Sequence, residues 1–201
     1  MDNGLLVVIS GPSGAGKGTI CERLKEELKD LKVSVSATTR KPREGEVEGA
    51  SYFFINEEDF IKRINDDEFL EYAKVYGNYY GTPKKEVFKQ LEDGNDIILE
   101  IDIQGALQVK KNYPKGIFIF ILPPSLTELN NRIERRGTES KEAIIKRMQC
   151  AYDELNYAFE YDYVVVNDEV EAAVDKIMHI IFAEKNRAIR KKAIINKIRE
   201  V

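Results

Sequence analysis

The strongest constraint on this chain is the nonapeptide "GPSGAGKGT", Gly11 to Thr19. It lies between the apolar run "LLVVIS" (5–10) and a stretch with Ile20, Leu24, Leu28 and Leu31 at helical spacing. Glycine, four residues, glycine and lysine between a strand and a helix is the spacing of a phosphate-binding loop. Its glycines (Gly11, Gly14, Gly16, Gly18), with Pro12, Ser13 and Ala15 between them, let the backbone approach an anion closely and turn successive N–H groups onto it. The helix that follows adds the positive end of its dipole. Lys17 can then reach the β- and γ-phosphates of a nucleotide. One departure weakens a metal reading: Gly18 follows the lysine, and the hydroxyl comes one place later, at Thr19.

Five β-rich runs follow the same logic: 5–10, 33–37 ("VSVSA"), 96–102 ("DIILEID"), 117–122 ("IFIFIL") and 163–166 ("YVVV"). They are nearly continuous in apolar or β-branched residues, as parallel strands covered on both faces are. Helical patterns separate most of them, and one opens at Ser125 with the capping-box sequence "SLTE". Strand and helix in alternation predict an α/β fold with a five-stranded parallel core sheet flanked by helices. Two intervals break the alternation. Residues 38–86 are rich in Tyr, Gly and charge, with a short helical pattern at 56–66 capped by Asn56; residues 125–158 form two helical stretches around "RRGTES". Both leave from carboxyl ends of strands, where open α/β sheets bind ligands, and are expected to be moving lids.

Composition excludes several alternatives. The chain has 201 residues, 43% of them apolar, a net charge of -4 and two distant cysteines. That suits one soluble domain without a disulfide framework, in a cytoplasmic setting. It argues against general nucleic-acid binding and against a membrane role, since the apolar runs are only strand-length. The basic tail after 185 reads as a solvated amphipathic helix, and His179 as a packing residue. Asp102, ending its strand, admits two readings: a partner for magnesium or its waters, or a loop cap or turn former.

Beyond the loop, "SATTRKPREGEVEGASYFF" (36–54), "EFLEYAKVYGNYYGTP" (68–83), "EIDIQGA" (100–106), "RRGTES" (135–140) and "YAFEYDYVVVND" (157–168) resemble the guanylate kinases, in that order and at suitable distances. The resemblance runs from about Gly4 to the mid-180s. It implies transfer of the γ-phosphoryl group of ATP, with Mg2+, to GMP, giving ADP and GDP in the recycling of purine nucleotides, with dGMP as a further acceptor. It implies a P-loop core (1–35, 87–124 and 159–201), a small mixed α/β GMP-binding insertion (36–86) and a helical lid (125–158). The protein is expected to act on small molecules, as a monomer or a homodimer.

The resemblance also assigns residues. Glu71 falls on the N1–H and N2–H donors of guanine, with Glu100 or Asp102 nearby, and the hydroxyls of Ser36 and Thr82 on the acceptors of the base. Adenine presents the reverse pattern at those atoms, so such a site rejects it. Arg40, Arg43, Tyr52 and Tyr80 fall on the phosphate of GMP, where planar guanidinium forks and phenols are suited to oxyanions. In the lid, Arg136 and Arg147 fall near the transferring phosphoryl group, with Arg132 in support on the ATP side. Lys17, Arg40, Arg136 and Arg147 are thus the expected catalytic set. Asn167 falls on the donor base, although Asn167-Asp168 is equally a turn pair, and Thr19 with Asp102 would serve the metal, directly or through water. Related scaffold modules keep this fold to bind protein segments, but they typically degrade the glycine loop, which is intact here.

Overall fold

In the computed structural model, which describes residues 4–75, 77–135 and 141–199 (the side chains of 141–143 excepted), β1 (Leu6–Ser10) is buried along its whole length. It lies at the centre of a five-stranded parallel sheet of order β2-β7-β1-β8-β9, with β2 (Leu31–Val33), β7 (Asp96–Glu100), β8 (Ile117–Leu122) and β9 (Tyr163–Val166). Successive side chains of β1 serve opposite faces. Val7 and Ile9 pack with Ile20 and Leu24 of α1 (Lys17–Glu27), and with Ile177 and Ile181 of a helix at Val170–Lys185. Leu6 and Val8 pack with Val87 and Leu91 of a helix at Lys84–Glu92, and with Val109 of one at Ile103–Asn112. Burying each such side chain contributes about 1.5–3 kcal/mol, so the strand that carries the glycine loop is held from both sides.

A second, four-stranded sheet of order β4-β3-β6-β5 comes from β3 (Ala37–Thr38), β4 (Phe53–Phe54), β5 (Phe69–Val75) and β6 (Asn78–Pro83). It is mixed: β3 and β4 are parallel, while β6 runs antiparallel to β3 and β5. α2 (Glu57–Asn65) covers it, with the expected Asn56 side chain accepting from the Asp59 backbone N–H. Phe60 of α2 stacks on Phe69, and the two form a small core with Ala37, separate from the clusters of the larger sheet. The remaining helices are α3 (Lys84–Glu92), α4 (Ile103–Asn112), α5 (Leu126–Arg135), α6 (Lys141–Glu154), α7 (Val170–Lys185) and α8 (Lys192–Arg199). Among the described residues, no helix is long and apolar enough to cross a membrane.

Two expectations change. The run 33–37 is not one strand: Val33 ends β2, the Ser34 N–H donates to Ile98 of the large sheet, and the Ser36 carbonyl already accepts from Phe53 of the small one. The chain crosses between sheets inside the run. The first helix is also shorter than its apolar period, since Leu28 is its C-cap and Leu31 begins β2. The capping box at Ser125 forms by half, with Ser125 Oγ accepting from the Glu128 N–H while the Glu128 carboxylate accepts from Arg132.

Candidate active site

The glycine loop leaves the carboxyl end of β1 with Gly11, Gly14 and Gly16 all at positive φ (143°, 94° and 93°). At Gly11 a Cβ would stand 2.3 Å from the Ile121 carbonyl oxygen, so only glycine lets the loop lie against β8. Gly16 caps α1 without a side-chain hydrogen bond, leaving the first-turn N–H groups to an outside acceptor. Lys17 curls back over the loop, its Nζ donating to the Gly11 and Pro12 carbonyls at 2.7 and 3.0 Å. Burial lowers its pKa, and Glu100, Glu154 and Asp102 oppose that shift.

Asn167 takes a task the sequence reading did not give it. Expected against the donor base, its side chain is buried beneath the loop and its Nδ2 donates to the Ala15 carbonyl at 2.8 Å. Arg132 of α5 reaches the same place, donating through Nη2 to the Asn167 carbonyl at 3.1 Å and through Nε to Glu128 at 2.9 Å. Leu129 and Ile133 of α5 close on Gly14. The helix after β8 is therefore seated on the loop, and Asn167 ties loop and helix together. Asn167→Ala would strip a buried carbonyl of its donor, and we expect it to cost about 1–3 kcal/mol of stability in urea unfolding. An unchanged midpoint would mean that Ala15 has another partner.

The small sheet contributes a buried acid. Residues Phe69, Leu70 and Glu71 are all buried, and the β5–β6 register shifts between Phe69 and Glu71. That irregularity sends Phe69 into the small core, Leu70 into the large one and Glu71 inward, opposite Thr82. Thr82 Oγ1 donates to Glu71 Oε1 at 2.6 Å. Thr82 is wholly buried, and its one proton is engaged there, holding the acid. The other oxygen of Glu71 faces Gly105, where a Cβ would stand 3.0 Å from it and 3.4 Å from Asp102 Oδ1. Asp102 meanwhile caps α4, its Oδ1 accepting from the Gly105 N–H at 2.7 Å. Burial raises the Glu71 pKa to about 7, Thr82 opposing the shift and Asp102 adding to it.

Glu71, Asp102, Glu100, Ser36, Tyr52 and Tyr80 line one cleft of about 240 Å³ between the sheets. Arg40 lies with its guanidinium 5.4 Å from the Tyr52 ring centre, and Tyr52 meets Tyr80 edge-on at 6.0 Å. Its position is set by β3 and β6: Thr38 Oγ1 donates to the Tyr79 carbonyl and accepts from the Arg40 N–H. Arg43 follows on an exposed turn. A larger cavity, about 590 Å³, lies at the amino ends of β8 and β9 by Pro114, Asp162 and Glu184, away from the glycine loop. Glu184 there is already satisfied by the Tyr163 hydroxyl at 2.6 Å and by Arg187.

Glu100 and Asp102, which line the Glu71 cleft, also lie beside Lys17, so that cleft adjoins the glycine loop. A family model for guanylate kinases matches residues 3–184. The chain belongs to the guanylate kinase family. A guanylate kinase of Caldanaerobacter subterraneus subsp. tengcongensis is 65% identical over 98% of this chain and 96% of its own length. One of Clostridium tetani is 60% identical over 94% and 91%. The crystal structure of guanylate kinase from Anaplasma phagocytophilum superposes with a TM-score of 0.74 at 34% identity, covering 94% of this chain and 90% of that one.

In this member of the family the lid arginines differ in their surroundings. Arg136 lies outside the described residues, while Arg147 is half-buried on α6. Arg135 pairs with Glu128 at 3.6 Å. Two acids carry weight that the sequence reading missed. Glu46 grips Arg40, and Glu154, at the end of α6, sits beside the Ser13 N–H and Lys17, its pKa raised by burial. Neither is marked by spacing; each is one glutamate among many in a chain with 35 acids. Among the described residues no group of three or more His, Cys, Asp or Glu is placed to hold a metal. Thr19, exposed after the loop, and Asp102, whose Oδ2 is not used by the cap, are hard oxygen donors near Lys17. So sparse a set fits Mg2+ that arrives on nucleotide phosphates and keeps its waters.

Proposed function

We propose that this protein transfers the γ-phosphoryl group of ATP to GMP, giving ADP and GDP. The reading is carried by one observation: Glu100 and Asp102, which line the Glu71 cleft, are also acids beside Lys17 of the glycine loop, so two places suited to different halves of a two-nucleotide reaction adjoin. Residues Gly11 to Thr19 hold the donor phosphates. Lys17 leaves the carbonyls of Gly11 and Pro12 for phosphate oxygens, which as charged acceptors bind it more strongly. Asn167 and Arg132 serve the donor by bracing the loop.

On the acceptor side, the free oxygen of Glu71, held by Thr82, takes the guanine N1–H and N2–H, with Ser36, Glu100 and Asp102 around it. Arg40, Arg43, Tyr52 and Tyr80 hold the acceptor's phosphate. An oxygen of that phosphate attacks the γ-phosphorus, and the bond from that phosphorus to the β–γ bridging oxygen breaks, leaving ADP. No nucleophile of the chain is needed. The residues align the two phosphates, and Lys17, Arg147 and Arg136 neutralise charge on the migrating group. Mg2+, when bound, withdraws charge from the β- and γ-oxygens. Thr19 and Asp102 would hold it, directly or through water. The partners are small molecules, the setting is the cytoplasm, and dGMP is accepted with GMP.

The test is ADP formation from ATP and Mg2+ with GMP, AMP, UMP and CMP supplied separately. Turnover with GMP well above the others is the expected result. Equal turnover with AMP would overturn the assignment of Glu71.

A further inference from the structure

Arg40 is held by more than its stacking on Tyr52. Its Nη1 donates to Glu46 Oε2 at 2.9 Å and to the Lys41 carbonyl at 2.8 Å, and its Nη2 donates to Glu46 Oε1 at 2.8 Å. A guanidinium has five N–H groups in a fixed plane. Glu46 and Lys41 engage three of them, including both hydrogens of Nη1, and the Tyr80 phenol hydrogen-bonds to the same guanidinium. The two that Glu46 and Lys41 leave, on Nε and Nη2, are parallel and lie along a single edge. That edge is the one a phosphoryl group takes in a bidentate pair, and the Tyr80 phenol, which lines the cleft, lies against the same guanidinium.

Glu46 is itself fixed. The Glu46 N–H donates to the Arg43 carbonyl at 3.1 Å, closing a four-residue turn whose third residue, Gly45, has φ 84°. In return the Arg43 N–H donates to Glu46 Oε2 at 2.7 Å. The turn therefore brings the carboxylate back onto the far edge of Arg40 and clamps it there, with both side chains largely shielded from solvent.

We propose that Glu46 is a positioning residue for the acceptor: it holds Arg40 by one edge so that the Nε–Nη2 edge is presented to the phosphomonoester of the acceptor nucleotide. The inference rests on the functional reading above and deepens it. Simple charge counting gives the opposite sign, since deleting an anion near a phosphate would strengthen binding.

The experiment compares wild type, Glu46→Gln, Glu46→Asp, Arg40→Ala and the double variant Arg40→Ala/Glu46→Gln, each checked by thermal unfolding. It reads GMP and guanosine binding directly, and KM for GMP and ATP in turnover. Glu46→Gln should weaken GMP by about tenfold to a hundredfold, the range for a misaligned charge-assisted hydrogen bond. KM for ATP and the affinity for guanosine, which has no phosphate, should not move. Glu46→Asp, charged but too short to span both nitrogens, should weaken GMP as well. In the Arg40→Ala background Glu46→Gln should add nothing. Unchanged or tighter GMP binding would overturn the proposal, as would equal loss of guanosine binding or an effect that persists without Arg40. Should wild type itself fail to use GMP, the functional reading falls, an outcome distinct from any of these.

Discussion

Lys17→Ala is expected to lower GMP-dependent turnover by about 10²–10³-fold, the cost of removing one preorganised donor to transition-state charge. The fold should persist. Among the described residues the Lys17 ammonium bonds to two carbonyls of its own loop and to no other element, and burial already depresses its pKa. A lysine whose folded pKa is depressed is held at some cost in its charged form, so a neutral side chain relieves that cost. Thermal unfolding should therefore show a midpoint no lower than wild type to within a few degrees, a spread set by effects of about 1 kcal/mol. Turnover close to wild type would remove Lys17 from the chemistry. A large fall in the midpoint would instead make the loss of activity a matter of folding.

Glu71→Gln is expected to reduce kcat/KM for GMP by about 10²-fold or more and to narrow the preference for GMP over AMP, because an amide cannot accept both guanine donors. Stability should hold, since Gln keeps an acceptor for Thr82 and carries no buried charge. The pH dependence adds a second readout. The Glu71 pKa is raised to about 7 by burial, and guanine needs the ionised form. Below that pH the acid is protonated, so affinity for guanosine should fall about tenfold per pH unit as one proton is taken up. Folding runs the other way. A carboxyl raised in the folded state contributes its full stability below its unfolded pKa, and that contribution is lost as pH rises through about 7. In Glu71→Gln both dependences should vanish. Guanosine binding that stays flat from pH 5 to 8 in wild type would show that Glu71 does not meet the base.

The large sheet was legible because its strands are buried on both faces and so read as apolar runs, and because the glycine loop fixes where the first strand ends. The small sheet was less so. An apolar pattern reports burial and not the partner, so nothing in "VSVSA" shows that Ser34 bonds to one sheet and Ser36 to the other. The same gap explains the site. Glu71 and Arg40 lie in recognisable motifs, but no local pattern marks the bonds that Thr82 and Asn167 make to other parts of the chain. Thr82 serves Glu71, eleven positions earlier, and Asn167 serves Ala15, 152 positions earlier. Hydrogen bonds over such distances follow from topology, which no local spacing encodes. Glu46 was missed for a related reason: it acts only because Gly45 reverses the chain.

The bracing of the glycine loop has a consequence for biosynthesis. Every residue of the loop has been made by the time Thr19 is added, yet β1 has no neighbour on either side until β7 and β8 follow, and Ala15 waits for Asn167. A nascent chain therefore carries this glycine-rich segment unsupported while β7 and β8 are made. It comes into final register only after Asn167 has followed, so a segment made before its supports is finished after them.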